Sequence, residues 1–276
     1  DHWALARLYQ NRRERFGEDN YQTGHSPKRS HPVIQHGKRY YLYLDYILKG
    51  LNLIRRIIMS ESILRVDMNR LTIKREKAKP DYLLLGGRSL TSTIINDEVP
   101  PLCHPLGKNN KLIFATGLLT GTRAPSSGRI SIGAKSPLTG GIKEANAGGI
   151  TSRKLARLGI KAIVVEGKPE SAETYILVIS KQDIRLEKKP GLKGLGTNKL
   201  SQEIYNCYGD TVGLICIGPA GEMRMCASGI SNNDTNKIPS RYAARGGLGA
   251  VMGSKGLKAI VIDDTGSKGV PVKDID

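Results

Sequence analysis

At 276 residues and 30.1 kDa the chain is long enough for one large domain or two ordinary ones, each with a buried core. Its composition, 39% hydrophobic and 25% charged with a mean hydropathy of −0.31, excludes a wholly disordered chain, and no apolar run reaches the roughly 18–20 residues of a membrane span. Lys+Arg 43 against Asp+Glu 25 gives a net charge of +18, which directs attention to anionic partners: phosphates, nucleic acid or anionic cofactors.

Residues 1–58 differ from the rest: they hold most of the histidines and aromatics but few of the 32 glycines. They form a basic N-terminal extension, polar and broken by Gly and Pro up to residue 39, then dense in Leu, Ile and Tyr over residues 40–58, where an amphipathic helix is predicted. Met59 has the look of an initiator, so the extension reads as an upstream frame or fusion as readily as a natural segment. A second domain is expected over residues 59–276. The start of the chain has no charged, apolar and cleavage-site pattern, which makes the cytoplasm the expected location.

Beyond Met59, ILRVDMNRLTIKRE reads as a β-hairpin, and YLLLGGRSLTSTIIND as a strand or loop leading into a helix. KLIFATG (111–117) and RISIGAK (129–135) are predicted strands, TSRKLARLG (151–159) a helix ended by Gly159, and KAIVVEGK (161–168) a buried strand. A hairpin follows over 174–188, a helix over 197–209 ended by Gly209, a strand over 211–222 and a last strand over 258–264. The four cysteines (Cys103, Cys207, Cys216, Cys226) lack zinc-ligand or cluster spacing and are expected to be buried free thiols.

Two of these segments have echoes. LIFATG at 112–117 resembles LICIGP at 214–219, and KAIVVEG at 161–167 resembles KAIVIDD at 258–264. A duplicated α+β unit, with two copies facing a shared groove, is the economical reading. The chemistry is then expected in the Gly-rich loops between strands: residues 115–149, with Arg123, Arg129, Lys135 and Lys143, and residues 239–256, with Arg241, Arg245 and Lys255. Backbone N–H groups freed by Gly and Ser turns, with arginine nearby, are what a phosphate group requires. The dinucleotide fingerprint fails at GLGAVM (247–252), because the third Gly is missing and the preceding SNNDTNKIPSRYAA does not read as a strand; no P-loop is present. Few aromatics for base stacking disfavour nucleic acid.

The segments NDEVPPLCHPLGKNNKLIFATGLLTGTRAPSSGRISIGAKSPLTGGIKEANAGG, CIGPAGE and AARGGLGAVMGSKGLKAIVI, in that order, closely resemble the N-terminal domain of the aldehyde:ferredoxin oxidoreductase family. The resemblance implies an α+β fold of two intertwined repeats, with mixed β-sheets and short helices, on which a tungsten (or molybdenum) bis-pyranopterin cofactor sits. By motif, Arg129 resembles the family's arginine near the pterins and the iron–sulfur cluster. Asn146 and Tyr242 resemble the positions whose backbone carbonyls hold a Mg²⁺ between the pterin phosphates, and Gly148, Arg241 and Arg245 fall among the cofactor-binding residues. Each has a plainer alternative: a surface arginine at a strand start, an asparagine capping a turn, solvated loop charges. Arg123 and Lys135 read as surface residues rather than ligands.

Tyr242 stands where the family often has a small residue, and Ser89 and Thr91 where smaller or apolar ones are common. The family's 4Fe-4S cysteines, acid/base groups and substrate pocket belong to later domains, so no catalytic residue is expected in this chain, which reads as an inactive fragment of an enzyme that oxidises aldehydes or related oxo donors. The resemblance names ferredoxin and the missing C-terminal domains, or a partner chain in their place, as partners and leaves a homodimer open. The competing expectation is a standalone binding protein for a phosphorylated ligand or nucleic acid, without redox activity.

Overall fold

The computed structural model describes residues 62–270. The N-terminal extension and its helix over 40–58 lie outside the described residues, and with them the domain boundary at Met59.

The chain runs twice through one plan. The first pass is β1 (Ser62–Asp67), β2 (Thr72–Lys77), α1 (Pro80–Leu83), α2 (Gly87–Glu98), β3 (Leu112–Thr116), β4 (Ile130–Lys135), β5 (Ile142–Ala147), α3 (Thr151–Arg157) and β6 (Ile160–Glu166). The second is β7 (Tyr175–Ile179), β8 (Ile184–Lys188), α4 (Thr197–Tyr208), β9 (Gly213–Cys216), α5 (Pro219–Glu222), β10 (Ile230–Asn232), β11 (Arg241–Ala243), α6 (Leu248–Ser254) and β12 (Leu257–Ile262). Each pass makes one six-stranded mixed sheet, in the orders β2-β1-β6-β3-β4-β5 and β8-β7-β12-β9-β10-β11. Strand for strand the two orders correspond. So do the pairings: β1 with β6 and β7 with β12 are parallel, and every other neighbouring pair is antiparallel.

Alternation along the strands sets the layers. Leu64, Val66, Ile163 and Val165 of the first sheet, and Leu177, Ile179, Ile260 and Ile262 of the second, enter one shared core. The intervening Ile63, Ala162 and Val164 pack outward on α2 through Leu90, Ile94 and Ile95, while Ile176, Val178, Ala259 and Val261 pack on α4 through Leu200 and Ile204. Strands buried on both faces read as continuous apolar runs, hence KAIVVE and KAIVID. Leu155 of α3 and Leu248, Val251 and Met252 of α6 belong to the shared core, so these helices lie between the sheets. Each also touches the other repeat's sheet, α3 on β9 and β12 and α6 on β3 and β4, which is where the repeats intertwine. β2 meets β8 on one side and β5 meets β11 on the other, closing the sheets around the inner helices.

The echoed K-A-I-V has a structural reason. Gly159 and Gly256 end α3 and α6 at φ +71° and +66°, and each is followed by a register step that leaves Lys161 or Lys258 unpaired in the ladder. Both lysines are buried, and their Nζ atoms donate to equivalent carbonyls, Leu83 at 3.0 Å and Leu195 at 2.8 Å. Lys258 also meets Glu222 Oε1 at 3.1 Å; among the described residues no carboxylate pairs with Lys161, and burial pushes it down to about 8.

Three expectations need correction. The strand over 211–222 stops at Cys216, since Pro219 has no N–H for a ladder and opens α5 instead. SNNDTNKIPSRYAA, read as non-strand, supplies residues of both β10 and β11, three-residue strands too short for periodicity to register. Only Cys216 is a buried thiol; Cys103 is half-buried, and Cys207 and Cys226 are exposed.

Candidate functional site

The edge strands β5 and β11 carry three of the six nominated residues, Asn146, Arg241 and Tyr242, and the pairing shows how they relate. In the first sheet Asn146 of β5 lies opposite Ser131 of β4; in the second, Tyr242 of β11 lies opposite Ser231 of β10. Asn146 and Tyr242 therefore occupy equivalent positions of the two repeats, on edges that touch. Between them opens a polar cleft of about 460 Å³, lined by Arg129, Asn146, Gly148, Gly149, Asp234, Arg241 and Tyr242, among others. Five of the six nominated residues come together there. Arg245 is exposed and lies outside the lining, as do Arg123 and Lys135.

Arg129 precedes β4 and reaches across to β5. Its Nε donates to Asn146 Oδ1 and its Nη2 to the Asn146 carbonyl at 3.3 Å, while Asn146 Nδ2 donates to Ser131 Oγ at 3.1 Å. The Arg129 carbonyl is fixed from behind by Ser152 Oγ of α3 at 2.9 Å. On the other side, loop 233–240 is wound about Asp234, whose carboxylate accepts from Ser240 Oγ at 2.8 Å and from the N–H groups of Asn236 and Ile238 at 2.9 and 3.1 Å. The Ser240 hydrogen bond, with these N–H groups and the Arg241 charge, holds its carboxyl below the usual range. Asp234 is thus spent on its own loop. Ser231 Oγ, donating to Pro239 O at 2.7 Å, pins the same loop. Tyr242 is about half exposed, and its hydroxyl lies 3.4 Å from Thr197 Oγ1 at the start of α4.

Gly149, Asp234, Thr235 and Ser240 were not nominated from the sequence. The available signal was the run Asn-Asn-Asp-Thr-Asn followed by Pro-Ser, a dense set of turn formers just before the second arginine. What the arrangement offers is one exposed guanidinium from each repeat, a Gly-Gly backbone and two edge-strand segments, a donor set matched to a multiply anionic ligand. Among the described residues, no group of three or more His, Cys, Asp or Glu side chains could hold a metal, so a cation here would need backbone carbonyls or ligand oxygens.

Fold and site together define a duplicated α+β domain with an arginine-bearing cleft where its two repeats meet. Residues 63–264 match the family of the aldehyde ferredoxin oxidoreductase N-terminal domain, and the chain belongs to that family. Over 215 residues it is 39% identical to a tungsten-containing aldehyde ferredoxin oxidoreductase of Pyrococcus horikoshii, covering 77% of this chain and 34% of that protein. The protein of the same name from Pyrococcus furiosus is 39% identical over 214 residues, covering 76% and 34%. Among solved structures, the active-site complex BamBC of benzoyl coenzyme A reductase superposes with a TM-score of 0.69 at 33% identity, covering 74% of this chain and 31% of that one. The chain thus spans about a third of the length of the curated relatives it matches. No helix among the described residues is long and apolar enough to cross a membrane.

Proposed function

We propose that this domain is the base on which a tungsten (or molybdenum) bis-pyranopterin is held in an oxidoreductase acting on an aldehyde or related oxo substrate. The observation that carries the reading is that equivalent positions of two sheets, Asn146 and Tyr242, meet across one cleft flanked by Arg129 and Arg241. A ligand with two phosphate-bearing halves presents two anionic ends, and the cleft offers a guanidinium from each repeat. The residues fit such a group: the cleft is polar, the one carboxylate among its described lining residues is consumed by its own loop, and the Gly148–Gly149 backbone leaves room for close approach.

In this reading Arg129 and Arg241 would neutralise phosphate oxygens, and the carbonyls of Asn146 and Tyr242 would supply hard oxygen donors to a Mg²⁺. Arg129 also orients Asn146 through its side-chain and carbonyl hydrogen bonds. When bound, the metal–pterin unit supplies the redox chemistry; this chain supplies binding, orientation and charge. Electron transfer through a 4Fe-4S cluster to ferredoxin requires ligands from outside it.

The test is the metal and pterin content of the protein purified from source cells, with its polypeptide mapped at both ends. Tungsten or molybdenum with two pterins per chain is expected, falling at least tenfold in an Arg129→Ala, Arg241→Ala double variant whose thermal midpoint is retained. Protein free of pterin, or equal content in both forms, overturns the reading.

A further inference from the structure

Behind the cleft, the two repeats are joined by a pair of fully buried asparagines. Asn232, the last residue of β10, accepts at Oδ1 from Thr151 Oγ1 at 2.9 Å and donates from Nδ2 to the Gly148 carbonyl at 2.5 Å. Its neighbour Asn233 accepts at its carbonyl from Ile150 N at 3.2 Å. It also accepts at Oδ1 from Leu214 N at 2.9 Å, and donates from Nδ2 to Tyr205 Oη at 3.1 Å and Val212 O at 3.2 Å. Asn233 thus anchors the pair to β9 and α4 of the second repeat, and Asn232 reaches into the first. Gly149 fits only as glycine: its φ is +124°, and a Cβ there would lie 2.4 Å from Asn233 O and 2.5 Å from Asn232 Nδ2.

The Asn232 bond fixes the direction of a peptide plane. No cis peptide occurs among the described residues, so the Gly148 carbonyl and the Gly149 N–H point in opposite directions. With the carbonyl turned inward to Asn232, the Gly149 N–H is turned outward, on a residue that lines the cleft, and no acceptor among the described residues takes it. A fully buried amide has one orientation that satisfies both Thr151 and Gly148, so the peptide plane is held by a side chain of the opposite repeat.

We propose that Asn232 is a positioning residue that presents the Gly149 N–H to a phosphate-type anion in the cleft. This deepens the cofactor reading, on which it rests for the natural ligand. Replacing the amide by a carboxylate would set two acceptors face to face at Gly148 and turn the peptide; replacing it by Ala would leave the peptide unheld.

The experiment uses the full protein stripped of any bound group and titrated with Mg²⁺ and inorganic pyrophosphate. Hydrogen exchange is followed on a peptide covering residues 147–151, beside the thermal midpoint and the tungsten and pterin content of the unstripped protein. Pyrophosphate is expected to slow exchange at Gly149 at least tenfold in the wild type, and this protection is lost in Asn232→Asp and Asn232→Ala. Thr151→Val, which frees the amide without removing it, is expected to lose part of the protection and decides the matter if the Asn232 variants fail to fold. Protection equal to wild type in folded Asn232→Ala, or in Thr151→Val, overturns the proposal and leaves the cofactor reading intact. So does a wild type that holds pterin through Arg129 and Arg241 yet shows no protection at Gly149. Protection that depends on Asn232 in a protein devoid of tungsten, molybdenum and pterin supports the positioning role and removes the cofactor reading instead.

Discussion

Replacing Glu98 with Gln tests whether α2 is held on the first sheet by charge as well as by apolar packing. Glu98 ends α2 and receives a two-pronged contact from Arg65 of β1, Nη1 to Oε2 at 2.5 Å and Nη2 to Oε1 at 2.7 Å, with Lys111 Nζ at 2.8 Å. Burial works against ionisation there, and the hydrogen bonds from Arg65 and Lys111 outweigh it, holding the carboxyl down to about 2 against an ordinary 4.5. That gap corresponds to ~3 kcal/mol of folded-state preference for the carboxylate. Because the folded value lies below the unfolded one, the stabilisation is present above about pH 4.5 and is lost as the pH falls towards about 2. In Glu98→Gln, Arg65 keeps Glu76 at 2.8 Å and Lys111 keeps Glu166 at 2.6 Å, so the loss at pH 7 is expected to be about 2–3 kcal/mol rather than the full cost of stranding a buried cation. Urea unfolding of wild type and variant at pH 7 and near pH 3 measures it: the difference should shrink by more than half at the lower pH. A difference that stays constant between the two, or falls under ~0.5 kcal/mol at pH 7, refutes the charge argument.

Lys255→Met should cost about 2–4 kcal/mol in the same assay. The fully buried ammonium, pushed down to about 8 by burial, donates to Asn110 O at 2.5 Å, Gly167 O at 2.7 Å and Gly107 O at 3.2 Å, and an apolar replacement takes that donor away, leaving Gly107 O with the Asn110 N–H at 3.4 Å. Gly149→Ala is expected to lose about 3 kcal/mol or more, from a strained φ and the overlap with Asn233 O, and to abolish retention of the proposed cofactor in whatever protein folds; metal analysis and a thermal scan check both. Tyr242→Ala should leave stability within ~0.5 kcal/mol and metal content unchanged, since the ring is half exposed and the role proposed for this residue lies in its backbone carbonyl. A large drop in metal content would place the ring itself in the site.

The parts of the fold legible in the sequence were those with enough length to show a pattern. KAIVVE and KAIVID, buried on both faces, announced themselves and their duplication, and Gly159 and Gly209 marked helix ends where the structure has them at φ +71° and +84°. β10 and β11, three residues each, had no pattern to read, and β5, with Lys143, Glu144 and Asn146, is polar because an edge strand needs little burial. Arg129 and Arg241 were nominated first as basic residues of Gly-rich loops, and Asn146 through motif resemblance; the structure lines one cleft with all three. Asn232 and Asn233 were missed because a buried asparagine and a turn asparagine look alike in sequence; only the cross-repeat distances separate them.

The duplication also shows what a single repeat could not do. In strand register the second repeat's counterpart of Arg129 is Gly229, where a Cβ would sit 3.0 Å from Ala244 Cα, so a side chain there would crowd the neighbouring backbone. The second repeat takes its guanidinium from Arg241 instead, which pairs with Asn232 as the buried Ala145 pairs with Ile132 in the first. Scaffold positions such as Lys161 and Lys258 repeat, while the side chains of the cleft do not. The Gly148–Gly149 backbone of the first repeat is moreover held by Asn232 of the second. The site therefore belongs to the junction: either sheet alone would present one arginine, one edge strand and an open core face, and only their closure through α3 and α6 brings both arginines to the same cleft.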